Sequence, residues 1–144
     1  MIELDNRTSL EVNEPLLKRI AESLTKKEIE LIITSNEEIR EINKEFRAID
    51  KDTDVLSFPF VDMPMSALLG SIVISSAHVE EKAKEFGHNC DDELALLFIH
   101  GLLHLLGFDH EIDKGEMRKK EVSLIKKFAL PESLIVRTLG DEIE

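Results

Sequence analysis

The segment Glu93–Leu106 (ELALLFIHGLLHLL) constrains the fold more than any other part of the chain. Three acids, Asp91, Asp92 and Glu93, stand at its start, where they complement a helix dipole, and Gly107 stands where a helix can end. Between them the residues are apolar on almost every side of a helical projection, so the helix must be enclosed by other elements. A chain of 144 residues is long enough to supply that enclosure without covalent staples. Its one cysteine, Cys90, excludes an internal disulfide and a cysteine-based zinc ribbon.

The buried helix carries two histidines, His100 and His104, at i and i+4 and therefore on one face, about a turn apart. A buried polar group without a partner costs roughly 1–3 kcal/mol, and one metal ion would satisfy both imidazoles at once. Gly107 can adopt the left-handed conformation that reverses the chain, which lets His110 return to the same point. Three nitrogen ligands with a fourth position open is the architecture of a catalytic zinc site. No fourth cysteine or histidine lies nearby to close the site, although Asp109 is adjacent. Asp109 suits any of three roles: holding the second nitrogen of a histidine, acting as a base, or forming the turn. The spacing matches the extended zincin pattern H-E-x-x-H-x-x-G-x-x-H, except that Gly101 stands where the protease carries its general base. Peptidase chemistry is disfavoured accordingly. The two remaining histidines, His78 and His88, read as structural.

The rest of the chain reads as a mixed α/β domain. Strands are expected at Ile2–Asp5, Glu28–Thr34, Asp54–Phe60 and Ser71–Ser75, with Pro59 ending the third or pushing it to an edge. Met63–Leu69 reads as a loop or hairpin arm. Helices are expected at Pro15–Leu24, from the Ser35 cap through Ile39, Ile42 and Phe46, at Ser76–Phe86, through the apolar segment, and at Lys114–Phe128. The expectation is one domain over residues 1–144, a small mixed sheet packed with helices and a metal site on a buried helix. The longest apolar runs fall far short of a membrane span, and the N-terminus lacks the pattern of a signal peptide, so no membrane partner and a cytoplasmic location are expected.

With these features set out, a resemblance emerges. His100–His110 (HGLLHLLGFDH) closely resembles the H-G-x-L-H-L-x-G-x-D-H signature of the YbeY family of bacterial metal-dependent endoribonucleases. Asn43-Lys-Glu-Phe-Arg47 with Thr53-Asp-Val-Leu-Ser-Phe-Pro59 resembles a second block of that family. Gly70-Ser-Ile-Val-Ile-Ser75 resembles a third, with Ser71 replacing an aspartate. The resemblance implies a metal-dependent hydrolase in which His100, His104 and His110 bind zinc, or else nickel or another divalent transition metal. It implies that Arg47 is needed for catalysis, and a guanidinium is suited to grip a phosphate. It further implies action on single-stranded RNA at the 3′ end of precursor small-subunit ribosomal RNA. The implied partners are the small ribosomal subunit, a ribosomal protein and the GTPase Era, with no DNA expected.

Charge sets a condition on that reading. The chain has 18 Lys and Arg against 30 Asp and Glu, a net charge of −12, so an RNA site requires segregated charge. Arg40, Lys44, Arg47 and Lys51 recur at helical spacing and make one candidate phosphate track, with a salt-bridged solvent face as the alternative. Arg118, Lys119, Lys120, Lys126 and Lys127 read mainly as a solvated face. Two other functions fit the same histidines: a metallohydrolase for a peptide or amide, and a non-enzymatic ribosome-assembly factor stabilised by zinc.

Overall fold

The computed structural model describes residues 1–60, 67–140 and 143. Its elements run β1 (Ile2–Asn6), α1 (Glu14–Leu24), β2 (Glu28–Thr34), α2 (Asn36–Arg47), β3 (Val55–Pro59), β4 (Leu68–Ser75), α3 (Ser76–Phe86), α4 (Cys90–Leu105), α5 (Glu116–Lys127) and α6 (Glu132–Gly140). The strands form one sheet in the order β1-β2-β4-β3. The first three are parallel, and β3 pairs antiparallel with β4 at the edge. Pro59 closes that edge strand, where no ladder partner is lost. The mixed α/β architecture expected from the sequence is the one observed. Leu68 and Leu69 are the first residues of β4, so the hairpin arm expected at Met63–Leu69 joins the strand. Its residues 63–66 lie outside the described residues.

Period-two alternation along β2 and β4 puts Ile29, Leu31, Ile33, Ile72 and Ile74 on one face, all fully buried. Helix α4 lies against this face inside the main core, with α1 and α5 contributing Leu17, Ile20, Met117, Leu124 and Ile125. The other face carries a smaller cluster of Ile39, Leu56 and Val73 beneath α2. Ser35 caps α2 as expected, its hydroxyl accepting the Glu38 N–H. Phe46 departs from the pattern. Helical spacing groups it with Ile39 and Ile42, yet it is 66% exposed, with its ring 5.6 Å from that of Phe58 on the edge strand.

Two glycines set how closely α4 approaches the sheet. A Cβ on Gly101 would lie 2.9 Å from Ile72 Cγ2 and 3.2 Å from Ser57 Oγ, and one on Gly70 would lie 2.7 Å from Leu105 Cδ2. Ser57 Oγ donates to the Gly101 carbonyl at 3.1 Å, fastening β3 to the helix at that point. Gly101 is thus a contact surface with no room for a glutamate. No helix among the described residues is long and apolar enough to cross a membrane.

Candidate metal centre

The centre forms where α4 ends. Gly107 takes φ = 100°, the Phe108 N–H bonds back to the Leu103 carbonyl and the Gly107 N–H to that of His104. This is the hydrogen-bond pair of a Schellman cap. It does two things at once. It aims the Phe108 carbonyl at His104 Nδ1, 3.0 Å away, and it returns the chain so that the His110 ring lies 5.2 Å from that of His100 and 5.4 Å from that of His104. The ligand nitrogens of the three histidines all lie within 4.8 Å of one another.

The hydrogen bonds decide which nitrogens are free. His100 is buried, and its Nδ1 is 2.9 Å from Oε1 of the equally buried Glu121. A carboxylate and a carbonyl only accept, so in the neutral rings both Nδ1 atoms carry the proton and both Nε2 atoms present lone pairs. Those two Nε2 atoms face each other at 3.1 Å. Two opposed lone pairs repel unless a cation lies between them, and ligands about 2.0 Å from a tetrahedral ion stand roughly 3.3 Å apart. His110 Nδ1 is buried without a hydrogen-bond partner among the described residues. The residues therefore fit a metal ion. Burial first, and then the neighbouring rings of His100 and His110, hold the His104 imidazole below its ordinary pKa, in the neutral form a metal requires.

Beside His104 and His110 lies a cavity of about 540 Å³, also lined by Arg47, Asp109, Glu111, Arg118 and Ile143. Arg47, the last residue of α2, is exposed and also lines an adjoining cleft with Ser57, Pro59, His104 and Phe108. Arg47 thus shares cavity lining with His104 and His110. Two other members of the proposed α2 stripe do not continue it. Arg40 is tied to Asp50 at 2.7 Å, and the helix ends at Arg47 with Ala48 left-handed, so Lys51 lies beyond it. Of the three roles open to Asp109, its hydrogen bonding supports the turn: Oδ1 accepts the Glu111 N–H at 3.0 Å. Glu121 and the Phe108 carbonyl hold the histidines instead. Ser71 donates to Glu30 at 2.8 Å and lines none of these cavities. His78 pairs with Asp52, and His88 with Ser133 and Glu93, as structural histidines do.

Sequence reasoning missed Glu121 and Arg118. Glu121 interrupts the apolar stripe of α5, between Met117 and Ile125 at i±4, and a carboxylate on a buried stripe was the available signal. Arg118 donates from Nη1 to the carbonyls of Thr138 and Leu139, which places it over the triad and away from the solvated face assigned to it.

The sequence profile of the family described as endoribonuclease YbeY matches residues 2–129. The chain belongs to the YbeY family. It is 65% identical to the endoribonuclease YbeY of Sulfurimonas denitrificans over 140 residues, 97% of this chain and 100% of the relative. It is 62% identical to that of Aliarcobacter butzleri, over 95% of this chain and 99% of the relative. With that of Helicobacter pylori the identity is 54%, over 96% and 98%. The solution structure of TM1509 from Thermotoga maritima superposes with a TM-score of 0.61 at 31% identity, covering 89% of each chain.

The loop that follows His110 leads into α5, and one carboxylate starts that helix. Asp113 accepts the N–H of Met117 at 2.9 Å and of Gly115 at 2.8 Å. Those two bonds, Met117 first, hold its carboxyl below the ordinary carboxylate range. A depressed folded pKa means that the contribution is present above the unfolded value and is lost as pH falls through the folded one. Asp113→Asn is expected to melt below the wild type at neutral pH and to converge with it in acid. Thermal melts across that range check this, and a gap that persists in acid would assign the loss to packing.

Proposed function

We propose that this chain is a zinc-dependent, single-strand-specific endoribonuclease acting in ribosomal RNA processing, at the 3′ end of the small-subunit RNA, and so in ribosome maturation. The observation that carries the reading is the pair of opposed Nε2 atoms of His100 and His104, 3.1 Å apart, with His104 also lining a cavity that holds Arg47. The YbeY relatives, named as endoribonucleases, supply the substrate class. Three imidazoles suit zinc, although nickel or another divalent transition metal would bind the same set. When bound, such an ion supplies Lewis acidity to a phosphoryl oxygen and lowers the pKa of water.

The protein's own groups do the rest. Glu121 and the Phe108 carbonyl fix the tautomers and ring planes of His100 and His104. Arg47 binds the scissile phosphate through its fork of N–H donors and offsets the charge that develops on it. Gly101, pressed against Ile72, leaves the position of a peptidase glutamate empty, which favours RNA over a peptide or amide substrate. RNA also brings its own nucleophile, the 2′-hydroxyl, so the chain need not provide one. The working location is the cytoplasm, and the family resemblance extends the partners to the small ribosomal subunit, a ribosomal protein and the GTPase Era.

The test is cleavage of a labelled small-subunit RNA precursor by zinc-loaded wild type and Arg47→Ala. Arg47 is exposed, so the variant is expected to fold, to keep its metal, and to lose roughly 10²-fold or more in cleavage rate. Equal cutting by both would remove Arg47 from the mechanism, and equal cutting by His104→Ala as well would place the activity in a contaminant and favour an assembly factor. A 2′,3′-cyclic phosphate on the products would assign the attack to the 2′-hydroxyl, and its absence would assign it to water.

A further inference from the structure

Helix α5 is cationic in a protein that is otherwise strongly acidic. Over its twelve residues it carries Arg118, Lys119, Lys120, Lys126 and Lys127. Its two acids do not balance them on the surface. Glu121 is buried against His100, and Glu116 sits in the first turn, accepting the Lys114 N–H. None of the five cations forms an ion pair among the described residues, whereas Arg7, Arg40, Lys82 and Arg137 all do. Lys126 and Lys127 lie in the last turn, where the helix dipole accounts for part of their placement, but Arg118 and Lys119 stand near the other end.

The arrangement has a direction. Arg118 borders the buried side of α5 and lines both the cavity of His104 and His110 and the small space beside His100 and Glu121. One residue on, Lys119 is exposed, and Lys126 lies seven residues further along the same stripe, about 10 Å away at helical rise. A row of cations thus begins in the candidate site and leaves it along an exposed helix face. Arg47 stands in the same cavity on a different helix. We propose that this face of α5 is a track for the phosphate backbone of a single-stranded polynucleotide, which enters the site past Arg118. The inference rests on the ribonuclease reading for its choice of polymer. It replaces the α2 stripe, whose Arg40 is neutralised by Asp50.

The experiment is binding of a fluorescent, 2′-O-methylated single-stranded RNA of about twenty nucleotides to the zinc-loaded protein, read by anisotropy at several salt concentrations. Three proteins are compared: wild type, the triple variant Lys119→Gln/Lys126→Gln/Lys127→Gln, and a control triple Lys18→Gln/Arg19→Gln/Lys84→Gln. The control removes the same charge from α1 and α3. Each phosphate contact on a single strand contributes about 0.7 to the slope of log affinity against log salt. The α5 triple is therefore expected to flatten the slope by about 2 and to weaken binding at least roughly 10-fold at 0.1 M salt. The control should change neither.

An unchanged slope in the α5 triple overturns the track. Equal weakening in the control does so too, since it would show that net charge alone matters, and so does a wild type that fails to bind. Cleavage of the unmodified RNA is measured beside it and separates the two readings. Cleavage with an unchanged slope sinks the track and leaves the nuclease. A flattened slope without cleavage supports the track and sinks the nuclease.

Discussion

His104→Ala should release the metal and abolish RNA cleavage together. The variant removes one of the two Nε2 atoms that face each other at 3.1 Å, and leaves His100 hydrogen-bonded to Glu121 as before. Two ligands, His100 and His110, remain where a catalytic zinc site uses three. The loss should register without any substrate. An ion present at about 100 times its Kd stabilises the folded state by about 2.7 kcal/mol, and the variant forfeits that increment. Zinc should raise the melting temperature of the wild type by several degrees and leave His104→Ala unmoved, while chelator-treated samples of the two proteins melt close together. Metal content measured on the same samples completes the test. A variant that keeps its full metal complement would place the ion elsewhere and end the assignment.

The contrast between what the sequence disclosed and what it hid has a simple physical basis. His100 and His104 are joined by helical periodicity, and His110 by one glycine turn, so the triad is a local object whose geometry follows from spacing. Buried strands such as Glu28–Thr34 are local in the same sense, because alternation along the chain reports the face on which each residue lies. Glu121 is 21 residues from His100, and nothing in its neighbourhood announces that partner. The basic residues show the difference in another way. Arg40 to Lys51 reads as a stripe only while the helix is assumed to continue, and the left-handed Ala48 stops it at Arg47. Arg118 reads as solvated only while the carbonyls of Thr138 and Leu139 are out of view. Charge patterns state what a helix offers, and the fold decides what is already taken.

Arg137→Ala should be among the most destabilising single substitutions in the chain. Arg137 lies on α6, a helix that the sequence reading did not anticipate and that falls outside the 2–129 stretch matched by the family. Its side chain is fully buried, with Nε donating to Glu93 Oε2 at 3.1 Å and Nη2 3.6 Å from Asp54 Oδ2. Glu93 is equally buried, and its other oxygen meets His88 Nε2 at 2.8 Å, while His88 Nδ1 reaches Ser133 on α6. Removing the guanidinium takes its cation from the buried Glu93 carboxylate, which costs about 3–5 kcal/mol. Against a total stability of about 5–15 kcal/mol, that is a large fraction. The pair itself is worth far less than its breakage, because charge and countercharge were both desolvated to make it. Glu93→Gln/Arg137→Met should therefore be more stable than Arg137→Met, although it changes two residues. Urea denaturation of these two variants, which carry the same side chain at position 137, decides the matter, and equal losses would show that packing at that position, and not the orphaned Glu93 carboxylate, sets the cost. The consequence reaches the metal centre, because the carbonyls that hold Arg118 over the triad belong to the two residues after Arg137. Loosening α6 should thus weaken RNA binding before it disturbs the three histidines, which are anchored through α4, the Phe108 turn and Glu121.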